Sequence, residues 1–155
     1  MKYVPRAAAI CLVALSLLVA GCGSDTKSTN DYAAAINKVQ TDFASNVRKV
    51  ARAPSGSDPA AAAKKTFADL KAAIDKVVAE LKAVSPPDKV KELHDQLISE
   101  MSRFDGQVKA AGESLNSKDP KTIESAQSKF ASRAASLGTQ IGQTIDAINK
   151  KVQGS

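Results

Sequence analysis

Residues 85–115 read SPPDKVKELHDQLISEMSRFDGQVKAAGESL. Apolar side chains recur at Val90, Leu93, Leu97, Met101, Phe104, Val108, Ala111 and Leu115, in steps of three and four. That rhythm gathers them on one face of a helix. Ser85 before Pro86 reads as a cap followed by proline in the first turn, where the missing N–H has no intrahelical acceptor to lose.

The same rhythm holds on both sides. Upstream lie Tyr32, Ile36, Val39, Phe43, Val47 and Val50, then Ala63, Phe67, Leu70, Ile74, Val77, Leu81 and Val84. Downstream come Ile123, Ala126, Phe130, Ala134, Leu137, Ile141, Ile145, Ile148 and Val152. No segment alternates with period two, so the pattern predicts helices and no strands. Asp58-Pro59 and Asp119-Pro120 repeat the cap-then-proline signal, and Ser28 with Asp31 resembles a capping box. The breaks at Ala53–Asp58, Ser85 and Asn116–Asp119 leave room only for tight reversals. The expected fold is all-α: an up-down-up-down antiparallel four-helix bundle over 30–155. Phe43, Phe67, Phe104 and Phe130, one per helix, fall at matching depths if the loops are symmetric, which predicts one aromatic layer in the core.

The N-terminus follows different rules. Lys2 and Arg6 precede an apolar run from Ala7 to Ala20, interrupted only by Ser16. At roughly 14 residues the run is short of the ~20 a membrane span needs, and it fits a secretory signal. It ends in Leu18-Val19-Ala20-Gly21-Cys22, which resembles the lipobox of bacterial lipoproteins. The resemblance implies a signal peptide over 1–21 and a diacylglyceryl group on Cys22, which becomes the N-terminus. It places the chain on the extracytoplasmic face of the cell membrane. Cys11 would leave with the signal, so the mature chain keeps no free thiol and no disulfide. Loss of Lys2 and Arg6 takes the formal charge from +6 to +4. Residues 22–29 hold nothing apolar to bury beyond the lipidated Cys22 and read as a flexible tether of roughly 15 Å reach. The Pro-Pro turn at 85–90, with Leu93-His94 after it, is similar to a turn in small helical lipoproteins of actinobacteria, a group with no single activity to carry over.

Chemistry is sparse. His94 is the one histidine among 155 residues. It flanks the third stripe, where a boundary residue satisfied by a carboxylate or water is the expectation. Met101 lies on the same helix and could not ligate the opposite side of a haem iron. One histidine cannot supply a di-metal carboxylate bundle. There is no phosphate loop and no Gly-x-Ser-x-Gly. Acidic residues such as Glu92 and Glu100 read as solvent-facing among lysines. The sequence therefore predicts no catalysis, no cofactor and no metal. Basic residues are interleaved with acids and lack stacking aromatics, which argues against nucleic acid. One further pattern is the small stripe Ala131, Ala135, Gly138 and Gly142. It suggests either close packing, against the third helix where Gly106, Ala110, Ala111 and Gly112 also lack bulk, or a groove for a ligand or partner chain. The expected role is a lipid-anchored, non-catalytic binding or scaffolding element, whose partner would be an envelope protein or wall polymer. The alternative is a carrier of a hydrophobic small molecule, which needs an internal apolar cavity of about 300 Å³ or more.

Overall fold

Four α-helices carry the four apolar stripes. A computed structural model describes residues 24–51, 59–117 and 119–153. In it α1 spans Ser24–Ala51, α2 Pro59–Ala83, α3 Lys91–Ser114 and α4 Pro120–Gln153, with a 3-10 turn at Asp88–Val90. No strand occurs among the described residues. The stripes meet in one core, where Ile36, Ile74, Val108 and Ile148, one from each helix, are at most 2% exposed. Burying a side chain of that size contributes about 1.5–3 kcal/mol, so the shared face outweighs weak helix propensity.

Packing follows chain order: α1 on α2, α2 on α3, α3 on α4. The contacts descend on one helix as they ascend on the other. Between α2 and α3, a Cβ on Gly112 would meet Phe67, Lys71 pairs with Asp105 at 3.2 Å, and the Leu81 carbonyl meets His94. Between α3 and α4, Phe104 stacks on Phe130 while Glu100 bonds Thr144. Across α1 and α2, Lys38 feels Glu80 and Asp42 feels Lys76. The ion pair from Lys71 to Asp105 is the one bridge between helices among the described residues; the others join residues four apart within a helix.

The start of α4 obeys its sequence signal. Asp119 accepts the Lys121 N–H at 3.1 Å and the Thr122 hydroxyl at 2.8 Å. These donors hold the Asp119 carboxyl below its usual range, the Thr122 hydroxyl first among them. The start of α3 does not. Ser85 is not its cap; Pro87 is extended (φ −60°, ψ 150°), a 3-10 turn follows, and Val90 takes the cap position with no side-chain bond. The tighter turn brings Val90 to 0% exposure, so burial overrides the polar cap.

Two other expectations need correction. Residues 24–29, read as tether, are helical, and Thr29 is 3% exposed. Thr29 lies three and four residues before Tyr32 and Ala33, so the buried face runs one turn further upstream than its apolar members show. The boundary at 30 therefore cuts through α1. Residues 1–21 and Cys22 lie outside the described residues. The single aromatic layer also fails. Phe67 meets Phe130 edge-on at 5.2 Å and Phe104 stacks at 6.3 Å, but Phe43 touches none of them. The α1–α2 pairings set Phe43 about two turns away from Phe67, because the two helices are staggered rather than mirrored about their loop.

Candidate functional site

Two clusters of buried polar groups are bonded across helices among the described residues. The first joins α1, α2 and α3. His94, on the first turn of α3, is 2% exposed and lies edge-on to Tyr32 with ring centroids 5.7 Å apart. Its Nε2 is 3.0 Å from the Leu81 carbonyl, which can only accept, so Nε2 carries the proton. Nδ1 is then the acceptor, and the Tyr32 hydroxyl donates to it at 3.2 Å. Leu81 O also accepts the Val84 N–H at 3.0 Å. His94 thus gives a carbonyl in the last turn of α2 a second hydrogen bond, on its other lone pair. Burial lowers the His94 pKa, against the opposing pull of the Leu81 carbonyl. Burial also pushes the Tyr32 phenol up to about 12. The expected boundary histidine is a core histidine, and its partners are a phenol and a carbonyl rather than a carboxylate or water.

The second cluster lies between α3 and α4. Glu100 is 4% exposed, correcting its placement on a solvent face. Its Oε1 accepts the Gln96 side-chain N–H at 2.8 Å and the Thr144 hydroxyl at 3.1 Å. The Gln96 amide also donates to Thr144 Oγ1 at 3.0 Å, closing a three-membered polar ring. Glu100 Oε2 is buried and accepts no hydrogen bond among the described residues. Above this ring runs a groove of about 470 Å³. Leu93, Gln96, Glu100 and Arg103 supply its α3 wall, one turn apart along the helix. Gln140, Gln143, Thr144 and Ala147 supply the α4 wall. A second hollow, about 420 Å³, lies over the first turns of α4 and is lined by that helix and its Asp119 cap alone.

The small stripe is not a packing seam. Ala131, Ala135 and Gly138 are exposed, and a Cβ on Gly138 or Gly142 would meet nothing within 4 Å. Gly106 is equally open, whereas Gly112 is the close approach: a Cβ there would lie 3.2 Å from Phe67 Cβ on α2. The close glycine approach of α3 is therefore to α2, not α4. Cys22 lies outside the described residues.

Glu100 and Thr144 could have been found in the sequence. Leu93, Leu97, Glu100 and Phe104 form an unbroken three-four series, as do Leu137, Ile141, Thr144 and Ile148. A carboxylate on an apolar stripe signals burial more strongly than the lysines around it signal exposure. Tyr32 was legible only as core, since nothing nearby in sequence announces His94 as its partner.

Among the described residues no three His, Cys, Asp or Glu side chains cluster to hold a metal, and no helix is long and apolar enough to cross a membrane. No protein-family model, curated protein or solved structure matches this chain.

Proposed function

We propose that this chain is a lipid-anchored, non-catalytic binding element of the cell envelope, held on the extracytoplasmic face of the membrane through Cys22. The observation that carries the binding role is the buried, half-satisfied carboxylate of Glu100 beneath the α3–α4 groove. The anchor rests on Leu18-Val19-Ala20-Gly21-Cys22. Two acyl chains contribute about 0.8 kcal/mol per buried methylene, enough for stable attachment where one chain is marginal.

The helices form an up-down-up-down bundle in this reading, which the opposed order of contacts along each neighbouring pair supports. A non-catalytic role is supported by His94, whose two ring nitrogens are both engaged and buried. No specific observation favours the carrier of a hydrophobic molecule, for polar side chains line both hollows.

Radiolabelled fatty acid supplied to an expressing bacterium tests the anchor. Label on the native chain and none on Cys22→Ala is the expected result. Label that persists in the variant overturns it.

A further inference from the structure

We infer that the α3–α4 groove binds a small zwitterion, an amino acid or short peptide that carries a primary ammonium and a carboxylate. This rests on the binding role proposed above and names its ligand class.

The floor of the groove asks for a donor. Glu100 is 4% exposed, and both of its hydrogen bonds fall on Oε1. Oε2 has none. Buried carboxylate oxygens are nearly always bonded, and one left unbonded is costly. Oε2 is closed to solvent, so an ammonium arriving through the groove would bond it only once the side chains over it shift, and would then supply the missing N–H and the opposite charge together.

The rim asks for an acceptor. Arg103 lines the same groove, is exposed, and forms no ion pair among the described residues. It follows Glu100 by three residues, so the two rise from adjacent turns about 5–6 Å apart at Cβ. The arginine side chain is the longer of the two, and it can carry its charge out to the ~7 Å that separates the ends of a dipeptide. A guanidinium there suits a carboxylate, which it can grip with two parallel bonds. Gln140 and Gln143 on the facing wall offer both donors and acceptors, as a peptide bond between the two ends requires. The volume, about 470 Å³, suits a ligand of this size.

Glycylglycine, N-acetylglycylglycine, glycinamide and glucosamine are titrated into the purified full-length ¹⁵N-labelled chain in detergent micelles, and amide shifts are followed. Glycylglycine is expected to move residues 93–103 and 140–147 selectively. Acetylation of its amine, or Glu100→Gln, is expected to weaken binding about tenfold or more, as loss of a charge-assisted bond implies. Arg103→Ala, an exposed change that leaves the core intact, is expected to weaken it severalfold. Glycinamide, lacking the carboxylate, should match that loss.

Equal binding of the acetylated peptide, of glucosamine, or by the Glu100→Gln chain would overturn the zwitterion assignment while a binding groove survives. No groove shift with any probe at about 10 mM would overturn the assignment and the binding role together. The lipid label reads Cys22 independently of both outcomes.

Discussion

The Tyr32 hydroxyl donates to His94 Nδ1 at 3.2 Å, while the opposite ring nitrogen donates to Leu81 O at 3.0 Å. The imidazole is therefore held neutral, in one tautomer, between two helices that do not include its own. Its lowered pKa fixes the direction of a pH effect. Between the folded value and about 6.5 the unfolded chain binds the extra proton. Stability from this group is complete above about 6.5 and falls as pH drops through the folded value. Urea midpoints measured from pH 8 to pH 4 should show that loss. Subtracting the profile of His94→Gln, which keeps a donor for Leu81 but does not titrate, should isolate it from the carboxylates. Identical slopes for the two chains would refute the assignment.

Tyr32→Phe removes the donor and leaves Nδ1 buried without a partner. Stability should fall by about 1–3 kcal/mol, read by urea unfolding. A second signature lies at alkaline pH. The fold favours the neutral phenol, raised to about 12, so native stability should decline as pH climbs from 10 toward that value. The Phe variant should lose this alkaline component, and an unchanged decline would assign it to other groups.

The glycines divide by their surroundings. Gly138→Ala places a methyl in open space on an exposed helix face and should stabilise by up to about 1 kcal/mol. Gly112→Ala gains the same propensity but sets a methyl 3.2 Å from Phe67 Cβ, on a backbone-proximal atom that cannot swing aside. It should fall short of Gly138→Ala by about 1 kcal/mol or more. Thermal midpoints of the pair, compared with the parent, decide this; equal gains would show that α2 and α3 can separate freely at Phe67.

Glu100→Gln replaces a buried charge with a neutral amide whose oxygen still accepts from Gln96 and Thr144. The amide puts an NH2, still without a partner, where Oε2 was, so the gain comes only from removing a buried charge, and stability should rise by about 1 kcal/mol. The same change should impair binding. A variant that melts higher and binds worse marks a residue kept for function at a cost in stability. One that melts lower would place Glu100 as a structural partner of Gln96 and Thr144 alone.

The three-and-four spacing made the helices legible because each helix is held chiefly by burying one face. Asp119-Pro120 was legible for a local reason: its cap bonds reach only two and three residues along the chain. Ser85 misled because a local cap competed with burial of Val90, and burial won. Phe43 misled because helix stagger depends on the whole α1–α2 interface, which no spacing rule encodes. The groove was hidden for a third reason. Glu100, judged by its charge, looked solvated, although its place between Leu97 and Phe104 marked it as interior.

The shared oxygen of Leu81 has a mechanical corollary. Through it and the Tyr32 phenol, α1, α2 and α3 are bonded together within one layer at the end where α1 begins. At the opposite end α4 sets out with most of residues 121–133 exposed and its first turn secured by Asp119. The molecule thus has a firm end and a loose one. A load applied through the N-terminal side of α1 meets the firm end first, whereas unfolding by heat or denaturant should start at the loose end, where α4 peels from α3.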